Sequence, residues 1–321
     1  LAPAENINGL TIGAIYDDYC DIDENDRTIF AVPQGFPSPI SAYGKGYRSI
    51  ITPDLYYRGG RKFIYESWDG KCQWVQSNRE PGCKVAAPTS DATKNGQAFT
   101  FGTSDATALI THEALKCYDV LRDIYQTETG ELPAKEYIAI LIKAMLTHGA
   151  SWGNLAKQLA NIVGGKEKQV SKWLGYGIPD VSRVTLIGSG SLKKDEGHVF
   201  TLPLPIDISS KVIKRRLIVT LAYFSPIVAN KQAYRSAKLW FDVIGNKQLA
   251  ASRENTEWQA VQKGTLQHEI FEGEKALVWD DDKEIQIKVN CKEDAGKIEN
   301  AIPYCIFVTF EVAEGQDIDV Y

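Results

Sequence analysis

The sequence predicts an α/β segment followed by an all-β sandwich or jelly roll. Two observations carry this. Residues 105 to about 163 hold three amphipathic helical stretches whose wide apolar faces suit burial on both sides. After Pro179 the periodicity switches from helical to two-fold and stays so. The expected domains are therefore residues 1–178 and residues 179–321.

Residues 8–16 read as a strand. Residues 17–97 are rich in turn signals, with Pro33, Pro37, Pro39, Pro53 and Pro81 and short aromatic strands at Lys62 to Tyr65 and Gln73 to Val75; an inserted hairpin is expected here. A helix follows from 105 to about 126, with Ala106, Leu109, Ile110, Ala114, Leu115, Tyr118, Leu121 and Ile124 on its apolar surface. A second spans about 133–147, opening on Pro133. A third covers about 152–163 and stops at Gly164-Gly165. Eight strands are then expected, at 184–187, 199–202, 217–224, 238–243, 265–271, 275–279, 285–289 and 304–312, which implies an antiparallel sandwich. Lys214-Arg215-Arg216 reads as a charged sheet edge. Asp280-Asp281-Asp282 reads as a solvated hairpin turn, since no glycine or distal glutamate completes a calcium loop.

The most informative stretch is Ala98 to Leu109. A short apolar strand runs into Gly102-Thr103-Ser104, and a long helix starts at once. A serine at such a turn presents its hydroxyl outward, with its own N–H among the unpaired donors of a helix N-terminus. Gly102 lets a substrate backbone approach, and Ala106 keeps the first turn small. The plainer alternative is that Thr-Ser-Asp is a helix cap.

Gly102-Thr103-Ser104-Asp105-Ala106-Thr107 resembles the nucleophile signature of the subtilisin-like serine proteases, Gly-Thr-Ser-x-Ala-(Ser/Thr)-Pro, with Ala108 in place of the proline. Leu10 to Ala14 is similar to the family's strand ending in Val-Gly-Ala. Ser38 to Gly46, with Thr52-Pro53-Asp54 and Gly59-Gly60, resembles the run before the nucleophile. Ala139 to Ala150 resembles a later helix reading Lys-x-x-Leu-x-x-x-Ala. The resemblance covers about the first 175 residues. It implies a subtilisin-like parallel sheet with helices, incomplete at the N-terminus, and a serine endopeptidase with a polypeptide substrate. Ser104 is then the nucleophile and its backbone N–H part of the oxyanion hole. Gly102, Thr103 and Ala106 support the turn, and the aspartate, histidine and oxyanion asparagine lie in a part of the protease domain upstream of Leu1. Arg215 to Tyr223 and Tyr234 to Phe241 resemble the β-sandwich appended to some bacterial subtilases. The alternative function is an inactive fragment or pseudoprotease whose sandwich binds a protein or glycan. An esterase using the same serine is a third.

The four histidines substitute poorly for the missing base. His112 lies two helical turns past Ser104 and reads as a partly buried helix residue. His148 sits at a helix end where the dipole favours an imidazolium, and His198 and His268 fall among the later strands. No metal-ligand spacing and no cofactor motif is present. Cys72 and Cys83 flank a loop and are able to form a bridge in an oxidising compartment; sparse cysteine use overall leans to the cytoplasm. A net charge of −5 argues against a nucleic-acid partner, and no apolar run is long enough to span a membrane.

Overall fold

The computed structural model describes residues 5–18, 27–75, 79–88, 96–162, 170–181, 186–244, 261–276, 278 and 284–312. The expected α/β class is not what it contains. Strand exceeds helix, 36% to 23%, in five sheets. Among the described residues a single strand pair is parallel, β1 (Ile12–Ile15) with β3 (Leu55–Arg58). The reason lies in element order. A parallel sheet needs helices between its strands, whereas here the short strands precede the helices. β2 (Thr28–Phe30), β4 (Phe63–Glu66) and β5 (Cys72–Trp74) form one antiparallel sheet, and β6 (Cys83–Ala86) with β7 (Gln97–Thr100) form a hairpin-like pair. The helices follow as a block: α1 (Thr103–Thr129), α2 (Lys135–His148), α3 (Leu155–Ile162) and α4 (Ser171–Leu174).

Among the described residues from 186 onward every strand pair is antiparallel. β8 (Leu186–Leu192), β10 (Arg215–Tyr223), β12 (Leu266–Gly273) and β14 (Ile302–Val312) form a sheet in the order β12-β10-β14-β8. β9 (Gly197–Pro203), β11 (Ala237–Ile244) and β13 (Glu284–Glu293) form a second, in the order β11-β13-β9. Alternation decides which faces are covered. In β13, Ile285, Ile287, Val289 and Cys291 are buried while the residues between them are wetter, so this sheet has one covered face. β10 is buried almost throughout. Leu217, Val219, Leu221 and Tyr223 face the core shared with the second sheet. Ala222, with Cys305, Phe307 and Leu266 of its neighbours, packs against Ile140, Leu141, Ala144 and Met145 of α2. The four-stranded sheet thus lies between a second sheet and a helical layer, and one core joins residues of both chain halves.

Three finer expectations also change. Lys214-Arg215-Arg216 is no edge: β10 lies between β12 and β14, Arg215 is buried, and Arg216 pairs with Glu272 at 2.8 Å and Glu311 at 3.6 Å on its two neighbours. Opposite charges across strands secure the sheet there. Lys275, Ala276 and Val278 lie in no strand, and Asp280, Asp281 and Asp282 fall outside the described residues. Cys72 and Cys83 are both free thiols.

Candidate functional site

The strand pair β1–β3 and the start of α1 meet at two glycines. Gly59 N–H donates to Ile15 O at 3.0 Å, and Gly102 N–H donates to Gly59 O at 2.7 Å. A Cβ on Gly59 would lie 2.4 Å from Ala14 Cβ and 2.8 Å from Gly102 O, so only glycine allows this approach. The contact fixes where the chain turns from β7 into α1.

Gly102 is the N-cap of α1, and no side chain caps the helix. Thr103, Ser104 and Asp105 form its first turn, whose N–H groups have no partner within the helix. Ala106 is fully buried beneath that turn, and its N–H donates to Gly102 O at 3.2 Å. Asp105 is half-buried and accepts the Thr100 hydroxyl at 3.0 Å on each carboxylate oxygen. Ser104 is exposed, and among the described residues its hydroxyl makes no hydrogen bond. A serine serving as a cap would spend that hydroxyl on the backbone. Gly102 beside it is buried, and a Cβ there would sit in ordinary contact with Ser104 Oγ at 3.5 Å and Ile40 Cδ1 at 3.7 Å. Thr103 lines a cleft of about 400 Å³ together with Gly13, Ile40, Tyr43 and Thr52. Gly102, Thr103, Ser104 and Ala106 therefore form one ordered turn, with the positive end of a 27-residue helix behind it.

None of the four imidazoles bonds to Ser104. His112 is exposed rather than partly buried, eight residues along the helix, or about 12 Å of rise. His198 Nδ1 is 2.7 Å from Tyr304 Oη on the sandwich. His148 corrects the expectation of a charged helix-end histidine. It is buried, and desolvation, followed by the neighbouring His268, pushes its pKa down to about 3. Burial outweighs the helix dipole here.

His148 and His268 belong to a buried network that sequence reading missed. His268 Nε2 is 3.2 Å from Ala150 O, a contact that requires a proton on that nitrogen. Its Nδ1 must then accept, from Thr220 Oγ1 at 2.8 Å. Thr220 in turn accepts from His148 Nδ1 at 2.9 Å, and His148 Nε2 accepts from Thr309 Oγ1 at 2.7 Å. The tautomers follow from this chain of donors. Thr220 and His268 sit directly opposite on β10 and β12, a register no local pattern reveals. Burial holds His268 down at about 4.

A second pair, half-buried Asp54 and buried Lys143, anchors β1. Asp54 accepts the Thr11 N–H at 2.8 Å, while Lys143 of α2 donates to Asn8 O at 3.1 Å and Thr265 Oγ1 at 2.9 Å. Burial moves both toward neutrality, Asp54 up to about 6 and Lys143 down to about 8, each partly restored by the other's charge. Among the described residues no three His, Cys, Asp or Glu side chains converge to hold a metal, and no helix is long and apolar enough to cross a membrane. No protein-family model matches the chain, and no curated protein matches it.

Proposed function

We propose that Ser104 is the nucleophile of a serine hydrolase acting on peptide bonds. One observation carries the reading: a solvent-exposed serine, free of any capping bond, in the first turn of a long helix. Attack by Ser104 Oγ on a carbonyl would place the developing oxyanion near the Ser104 N–H, where the unpaired donors and the helix dipole favour negative charge. A side chain at Gly102 would pack against Ser104 Oγ and Ile40, so the glycine keeps the approach to the serine narrow but unfilled. Asp105 is occupied by Thr100 and is a positioning group for the turn, not a base for the serine.

A serine hydroxyl is a weak nucleophile until a base takes its proton. That base has to come from outside the described residues, and the polypeptide substrate is the class that the resemblance of the turn implies. The test is labelling with a fluorophosphonate probe. In protein purified from its native source, the label should map to Ser104, and Ser104→Ala should cut peptide hydrolysis by roughly 10⁴- to 10⁶-fold with the fold intact. Native protein that labels elsewhere, or an unaltered turnover rate in the variant, removes Ser104 from the mechanism and favours a binding role.

A further inference from the structure

A second concavity, about 890 Å³, is lined by the turn at 47–49, the segment entering β11, the turn before β12 and the end of β13. Five cationic side chains line it, Arg48, Arg235, Lys238, Lys263 and Lys292, against the single carboxylate of Asp294. The chain as a whole carries −5, so this groove concentrates the opposite sign.

Asp294 does not neutralise the set. Arg235 is buried on the groove floor and takes that carboxylate at 3.0 Å, and it also donates to Tyr223 Oη, Gln262 O and Gly264 O. Among the described residues Arg48, Lys263 and Lys292 make no ion pair. Lys238 and Lys292 stand directly opposite each other in the β11–β13 register. Like charges so placed oppose sheet pairing. Both ammonium groups lie over the Trp240 ring, at 5.9 and 5.7 Å from its centroid. Burial, and then the charges of Arg235 and Lys292, hold the Lys238 ammonium below the usual lysine range.

The rim is strained too. Arg48 and Ser49 are consecutive non-glycine residues in the left-handed region, at φ 55° and 66°. The Arg48 guanidinium is held 5.3 Å above the Tyr47 ring. Strain of this kind persists where the surroundings enforce it, and it clusters at ligand clamps. Two independent costs, a repelling lysine pair and a strained arginine turn, thus converge on one groove.

We infer that this groove binds a small, multiply charged oxyanion, a ligand bearing two or more phosphate or carboxylate groups. An arginine fork with lysine point charges is the chemistry that recognises such groups. The volume is that of a small-molecule site.

The full chain is titrated by calorimetry with tripolyphosphate and, separately, with citrate. Saturable one-to-one binding that weakens with added salt is expected, and the tighter of the two identifies phosphate or carboxylate as the preferred group. The double variant Lys238→Gln/Lys292→Gln should lose at least roughly tenfold in affinity while its thermal midpoint, without ligand, stays level or rises. Arg48→Gly should likewise weaken binding without lowering the midpoint. Lys135→Gln/Lys157→Gln makes the same charge change on exposed helical positions and should bind as the parent does. Absence of saturable binding to either anion overturns the inference, as does equal loss in the helical control. Binding to poly-glutamate with none to either small anion also overturns it, in favour of an acidic protein partner.

Discussion

Gly59 and Gly102 are linked by one hydrogen bond, yet a methyl group has opposite consequences at the two. At 59 the new Cβ meets Ala14 Cβ at 2.4 Å and Gly102 O at 2.8 Å, and neither atom is the tip of a flexible side chain. Gly59→Ala should therefore destabilise by about 1–3 kcal/mol in denaturant unfolding, the usual cost of overpacking. At 102 the Cβ meets nothing closer than 3.5 Å, and the backbone there is extended, so any residue adopts it. Gly102→Ala should change stability by less than about 0.5 kcal/mol and yet crowd the space where a substrate carbonyl must approach Ser104. Hydrolysis lost in Gly102→Ala at unchanged stability is the expected pair of results. Full activity in that variant would show that substrate does not pass over residue 102.

At the scale of elements, the layer between α2 and the sheet holds two neutral imidazoles, and that sets a pH dependence. Unfolded, both rings titrate near 6.5; folded, they are held at about 3 and about 4. The unfolded chain therefore binds protons first. The stability is present in full above pH 6.5 and is lost as pH falls from there toward 4, by roughly 2 kcal/mol per ring between pH 7 and pH 5. Asp54 works in the opposite sense: its pKa is raised to about 6, so its contribution is present below about 3.8 and lost as pH rises through 6. Two rings against one carboxyl leave the histidines dominant. Urea unfolding at the two pH values should show the net loss, and His148→Leu should remove most of it, because the remaining ring is then largely offset by Asp54. A flat profile in the parent chain would mean that the rings are solvated.

The elements differ in how far they can be read from the chain. Strands β10, β11 and β14 come within two residues at each end of runs marked by period and β-branched residues, while β13 runs four residues past its run, to Glu293. α1 starts at Thr103 because Gly102 caps it, two residues before its apolar stripe suggests. The sheet arrangement of residues 1–178 was not legible, because a strand four residues long carries no mark of whether its partner runs parallel or antiparallel. Lys275 to Trp279 has strand composition but, among its described residues, no pairing partner. For the site, the turn at 102–104 is contiguous and so reads directly. The imidazole–threonine chain and the Lys238–Lys292 pair depend on register between distant strands, which local sequence does not record.

At the scale of the whole molecule, the question is whether the two halves unfold as one. Phe307 is fully buried on the face of β14 turned toward α2, in one cluster with Ile140, Ala144 and Met145, and beyond them Leu121, Cys117 and Leu55. Its ring lies 5.7 Å from that of His148, and Cys305, two residues before it, donates its thiol to Ile140 O at 3.2 Å. The opposite face of the same strand, through Tyr304, Ile306 and Val308, belongs to the core between the sheets. A void at 307 is therefore felt on both sides of a single strand. Phe307→Ala should cost about 3–5 kcal/mol, and native-state hydrogen exchange should show the loss equally in α2 and in β10 and β14. It should not be confined to the strands, because Ile140, Leu141, Ala144 and Met145 of α2 are buried in the same cluster as Phe307. If amides of α2 keep parent-like protection in the variant while those of β14 lose theirs, the helical layer has a core of its own and the shared cluster is only an interface.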